Sequence, residues 1–218
     1  MSAWFLVLSS AAEVIEGAVA FSIYHQAFKF YRLSGERKLL SLSTAFLVLG
    51  LGLLAHGAIL AVLLFLLRSF PKMAFLLSRI SSWALFACEV LAYGSLASSY
   101  FRTGSGEEAG LTLIVLSMAG AGRPMRPELL VKLVRYHPAL ELVVLALLSY
   151  LTYKTMSNFL SNRDMNPFLV GFAFLFLTVA HVCFFLSYFV ASLYTTAHVL
   201  QLLAFICMSL MIVRVASA

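Results

Sequence analysis

Residues 39–67 read LLSLSTAFLVLGLGLLAHGAILAVLLFLL, a run without one Asp, Glu, Lys or Arg. A helix rises roughly 1.5 Å per residue and a bilayer core is about 30 Å thick, so about 20 such residues cross it. This run decides the fold class, because it is too long and too apolar for anything but a membrane span. Five more stretches qualify on the same grounds: Ala3–Tyr31, Met73–Phe101, Pro138–Phe159, Pro167–Val190 and Ser192–Val213. Gly110–Ala121 is a seventh, shorter candidate that falls below the usual length. The expected fold is an all-α, polytopic transmembrane helix bundle.

Composition agrees. Of 218 residues, 62% are hydrophobic and 11% are charged. A soluble domain carries about 25% charge, because its surface must be hydrated. That excludes an ordinary soluble domain, a disordered chain and a nucleic-acid binder. The basic excess, 15 Lys and Arg against 9 Asp and Glu, reads as loop charge facing the cytoplasm and anionic lipid. The N-terminus lacks a basic region, and Glu13 and Glu16 interrupt its apolar run. It is expected to stay as a span and not to be cleaved as a signal.

The longest polar stretch divides the chain into a first membrane unit (1–102), a linker (103–137) and a second membrane unit (138–218). Within the linker, Glu128–Tyr136 sets Leu129, Leu130, Leu133 and Val134 against Lys132 and Arg135, the pattern of an interfacial helix. The two units match one another. Glu16, Lys29, Ala55 and His56 find Glu141, Lys154, Ala180 and His181 125 positions later. In a frame of 112, Ala92 and Tyr93 fall on Ala204 and Phe205, Glu89 on Gln201 and Arg102 on Arg214. Scarce polar residues recurring at one offset point to two tandem three-helix repeats. If Gly110–Ala121 spans, the units run parallel; if not, they are inverted. Both arrangements put the basic Lys29–Lys38 turn in the cytoplasm. Lys and Arg divide 8 against 7 in the parallel case and 9 against 6 in the inverted one, so the positive-inside rule favours inversion. Preservation of a basic first turn in each unit favours the parallel arrangement with seven crossings.

Several loose motifs carry a family likeness: the Tyr31-Arg32-Leu33 to Glu36-Arg37 turn, the Ala45-Phe46 to His56 span, and Gly171-Phe172 through His181 to His198-Val199-Leu200-Gln201. Over about two-thirds of its length the chain resembles uncharacterised small polytopic archaeal membrane proteins built from three-helix units. The resemblance implies the fold and a prokaryotic cell membrane, and brings no activity with it.

Function must come from the polar residues left inside the spans: Glu13, Glu16, Glu89 and Glu141 beside His56, His181, His198 and Gln201. Each is costly in lipid and is expected to face the bundle interior with a partner. Depth counted from the turns pairs Glu16 with His56 and Glu141 with His181, and leaves Glu13 towards the outer interface. His181 and His198 come out level on adjacent antiparallel spans, in a stretch rich in Phe. Such a pair suits the axial ligands of a b-type haem, or a bare metal, with Glu141 or Gln201 orienting an imidazole. His56 with His181 is a second ligand pairing. Gly52 and Gly57 open the face beside His56, whereas Leu177 fills the corresponding place before His181.

These residues support three functions. The first is a haem-binding electron-transfer subunit of a respiratory-type complex. The second is a non-redox assembly or sensory module whose Glu–His pairs only fix packing. The third is a proton-coupled transporter using Glu13 and Glu16. No hydrolase, metalloprotease or nucleotide-binding motif occurs. The expected role is therefore a membrane subunit more than an enzyme, set in the bilayer with other membrane subunits or as a homo-oligomer. Tyr194 is expected to be an interfacial anchor.

Overall fold

The computed structural model describes residues 4–101 and 138–216. Among them are six helices and no strand: α1 (Trp4–Ser34), α2 (Arg37–Ser69), α3 (Pro71–Phe101), α4 (Pro138–Asn162), α5 (Met165–Leu186) and α6 (Leu193–Ala216). All six are long and apolar enough to cross a membrane, so the protein is an integral, multi-pass membrane protein of a lipid bilayer. Gly110–Ala121 and Glu128–Tyr136 lie outside the described residues.

The boundaries follow local chemistry. Pro71 and Pro138 open their helices, and Pro167 sits in the first turn of α5, where a missing N–H costs nothing. α5 ends at Leu186, four residues before the expected Val190. There the N–H groups of Ser187, Tyr188, Phe189 and Val190 turn back onto carbonyls of residues 183–186. The first turns of the two units use one device. Gly35 (φ 70°) and Arg163 (φ 52°) take the left-handed conformation. Each donates its N–H to the carbonyl four residues earlier, Tyr31 at 2.8 Å and Phe159 at 2.7 Å. An acidic residue in extended conformation, Glu36 or Asp164, then starts the next helix.

Each helix packs on its neighbours in chain order, and α6 closes back on α1. The bundle is therefore a ring. Packing is heavier within α1–α2–α3 and α4–α5–α6 than across the two seams, α3/α4 and α6/α1. Side-chain contacts fix the directions. Ser9 meets Tyr194 and Glu16 meets His198, so α1 and α6 run parallel. Glu141 meets His181 and Phe159 meets Phe168, so α4 and α5 run antiparallel. Together with the α1/α2 and α2/α3 pairings, this sends α1, α3, α4 and α6 one way and α2 and α5 the other. The two units thus run parallel, and the chain leaves α3 and enters α4 at opposite ends of the bundle.

Hydroxyls in the spans are satisfied locally, as lipid demands. Ser81 and Ser82 donate to the Ser78 carbonyl, and Thr155 to that of Leu151. The outer face carries Phe65, Leu76, Trp83, Leu91 and Leu210, all exposed, a surface matched to lipid tails.

Close helix approach depends on glycine at Gly52. A Cβ there would lie 2.7 Å from Cys88 Cβ on α3, an atom that moves only with its backbone. Gly52→Ala is expected to cost about 1–3 kcal/mol by forcing α2 and α3 apart, read as a loss of thermal stability in detergent. A stability equal to that of the wild type would show that the two helices tolerate separation.

Candidate functional site: three buried glutamate–histidine pairs

Along α1, α2, α5 and α6 the interior is layered in the same order. An outer apolar cluster contains Leu6, Leu60, Leu63, Phe184, Tyr194 and Ala197. A larger inner cluster contains Ala20, Leu53, Leu177, Ala204 and Phe205. Between them each of these helices places its polar residues: Glu13 and Glu16, His56, His181, and His198 with Gln201. α4 adds Glu141 ahead of Val144, and α3 adds Glu89 one turn from Tyr93. The Tyr93 ring packs edge-on to His181, with centroids 6.0 Å apart. All eight residues singled out in the sequence are buried, none more than 5% exposed.

Three carboxylate–imidazole pairs form. Glu13 Oε2 lies 2.5 Å from His56 Nδ1. Glu141 Oε2 lies 3.0 Å from His181 Nδ1. Glu16 Oε1 lies 2.8 Å from His198 Nδ1. The first two pairs sit inside the units, and the third bridges the α6/α1 seam.

The expected Glu141–His181 pair is present. The expected Glu16–His56 pair is not, because Glu13 takes His56. Glu13 is 1% exposed, so its placement towards the outer interface is corrected as well. The helix register explains both differences. Ser10 Oγ donates to the Gly57 carbonyl at 2.8 Å. A Cβ on Gly57 would lie 3.2 Å from Glu13 Cβ. Glu13 is therefore level with residues 56–57, while Glu16 lies one turn further along and reaches α6. Tyr194, expected at an interface, is instead 1% exposed. Its hydroxyl bonds Ser9 Oγ at 2.7 Å and its ring packs on His198 at 4.7 Å.

Of the Phe residues around the last two spans, Phe174 and Phe184 are buried, while Phe189 is exposed. Phe184 packs edge-on against His181 (5.6 Å) and His198 (5.1 Å). It thereby holds both imidazole planes. Gln201 lies three residues past His198 on the same helix face. Among the described residues, no group of three or more His, Cys, Asp or Glu is gathered as a metal site.

The chemistry of each pair follows from its donors. An ionised carboxylate only accepts hydrogen bonds, so opposite one the imidazole donates from Nδ1 and leaves Nε2 its lone pair; the roles at each contact follow the histidine tautomer. The Nε2 atoms of His56, His181 and His198 are buried and have no hydrogen-bond partner among the described residues. Each can take a proton while its carboxylate stabilises the imidazolium, the role a buried acid plays beside a catalytic histidine. The same arrangement makes Nε2 a competent metal donor.

A cavity of about 130 Å³ opens between α2, α3, α5 and α6 at the end that holds the Gly35 and Arg163 turns. Lys38, Ser99 and Tyr100 line its mouth, and it stops at Phe174 and Met208, both members of the inner apolar cluster. The polar layer lies beyond that cluster. Comparison with protein-family models, curated proteins and solved structures gives no match for this chain, so its chemistry rests on its own residues.

Proposed function

We propose that this protein is a proton-linked membrane transporter whose central layer of Glu–His pairs carries protons across the bilayer. The observation that carries the reading is the choice of partner. All three histidines that are buried among the described residues are bound to glutamates. Histidine exchanges protons near neutral pH, whereas Lys and Arg hold theirs. Ionisable residues deep in a bundle mark proton and ion paths. Apolar clusters on either side of the layer are the gates such a path needs, and the cavity below the inner cluster gives access from one end. The Glu16–His198 bond ties the two units across a seam, so proton occupancy there acts on how firmly the units hold together.

Sidedness follows from charge. Among the described residues, Lys29, Arg32, Arg37, Lys38, Lys154, Arg163 and Arg214 lie at the end with the cavity, against Arg68, Lys72 and Arg79 at the other. Counted over these residues, the positive-inside rule favours the cavity end as the cytoplasmic one. The matching turns at Gly35 and Arg163 support descent of both units from one duplicated three-helix ancestor. The deciding experiment is proton flux in liposomes, with Glu16→Gln as the variant.

A second reading, a b-type haem held by His181 and His198, is favoured by their buried, unbonded Nε2 atoms and carboxylate-held Nδ1 atoms. It ranks second because a macrocycle reaching both nitrogens must fit beside Phe184, which is fully buried against both rings. Protein purified from haem-supplied cells settles it by absorbance: a Soret band lost in His198→Ala supports haem, and no band removes it.

A further inference from the structure

The proton-linked reading names no solute, and the cavity below the inner cluster bears on what that solute is. Its walls are apolar: Leu42, Leu96, Val170, Phe174, Met208 and Met211 surround about 130 Å³. Leu96, Phe174 and Met208 are each at most 5% exposed, so these walls face the interior of the ring and not the lipid. A cavity of about 150 Å³ walled by Leu, Ile and Phe stays dry and takes up benzene. The space here is on that scale, which fits roughly one benzene-sized ring or a short alkyl group. Methionine walls are flexible enough to close on either.

One end of the space differs from the rest. Lys38, Ser99 and Tyr100 stand at its mouth. Among the described residues, no carboxylate lines the cavity or pairs with Lys38. An apolar chamber with such an ammonium at its mouth complements a solute of matching build, an apolar body that ends in one negative charge. A cation would meet Lys38 with like charge. A solute charged at both ends would press one charge against apolar walls. A lipid tail fits poorly, because the space closes at Phe174 and Met208 after about the volume of one ring.

Resting on the proton-linked reading, we propose that this cavity binds a small hydrophobic monocarboxylate, aromatic or short-chain, with Lys38 holding the carboxylate and the apolar walls its body. Proton coupling suits that class. A carboxylate is costly to move through the inner apolar cluster, whereas the same group carrying a proton is neutral and costs far less. Such a solute passes with one proton, the coupling that a proton-exchanging layer beyond the cluster provides.

The test uses the full chain in an uncharged detergent, at a pH where carboxylates are ionised. It is melted in sodium benzoate, sodium acetate or benzylammonium chloride at equal ionic strength. Acetate has the charge without the ring, and benzylammonium has the ring with the opposite charge. Benzoate alone is expected to raise the melting temperature, by about 3–5 °C at ten times its dissociation constant. Lys38→Met, at an exposed position, is expected to melt like the wild type without ligand and to bind benzoate at least about 10-fold more weakly. Val170→Phe fills the chamber and is expected to abolish the benzoate shift. Benzoate shifts matched by acetate or by benzylammonium, or unchanged in Lys38→Met, would overturn the proposal. An equal rise with anionic phosphatidylglycerol, lost in Lys38→Met, would give the cavity to a lipid and overturn it too. Proton flux in liposomes separates the two claims. Flux without a benzoate-specific shift removes this solute class and leaves the transport reading. A benzoate shift without flux keeps the binding site and removes transport.

Discussion

Glu16→Gln is expected to cut proton flux through liposome-reconstituted protein by about 100-fold, the scale on which a positioned proton-exchanging group acts. The substitution suits the question because glutamine keeps the shape of glutamate. Its carbonyl can still accept from His198 Nδ1, now 2.8 Å from Glu16 Oε1, so the α6/α1 seam keeps a hydrogen bond. What is lost is the carboxylate that stabilises a proton on His198. Flux would be driven by a potassium diffusion potential and read with a trapped pH dye. An unchanged rate would remove the support for a proton path through this pair. A lost rate in a folded variant would separate proton transfer from packing, which a structural pair would not do.

His56→Leu is expected to cost about 3 kcal/mol of stability, while Glu13→Leu/His56→Leu together is expected to cost less than 1 kcal/mol. Removing the imidazole leaves a buried carboxylate without its hydrogen-bond donor, at about 3–5 kcal/mol. Neutral hydrogen bonds between membrane helices reach only about 1.7 kcal/mol. The 2.5 Å contact, with both side chains 1% exposed, belongs with the first kind. Replacing both partners removes the desolvation cost along with the attraction, which is why the double variant recovers. Unfolding in mixed micelles measures all three. Losses below about 1.7 kcal/mol in the single variant, or simple additivity, would mark the pair as an ordinary hydrogen bond.

The spans were legible because length and hydropathy alone decide them. So was the burial of the eight polar residues, because lipid offers a polar side chain no alternative. Glu141–His181 could be paired by counting from a turn. The same count failed between Glu13 and Glu16, which lie three residues apart on one face of α1. Depth measured along a helix is uncertain by about one turn, and one turn separates these two glutamates. Matching Glu16 to Glu141 in the repeat tipped the choice the wrong way. Tyr194 was misplaced for a related reason. An aromatic near a span end suits an interface, yet Ser9 on the first helix draws its hydroxyl inward.

The sequence by itself determined that this chain crosses a bilayer on apolar helices and that its chemistry must lie among four glutamates, three histidines and one glutamine. Only the tertiary structure decided which of them meet. These helices are apolar on nearly every side, so no stripe in the sequence shows how each is rotated. The ring closure of α6 on α1 brings together Glu16 and His198, 182 residues apart. Such a contact depends on the order, direction and rotation of helices packed around the ring. Those properties come from side chains fitting against one another, not from any local pattern along the chain.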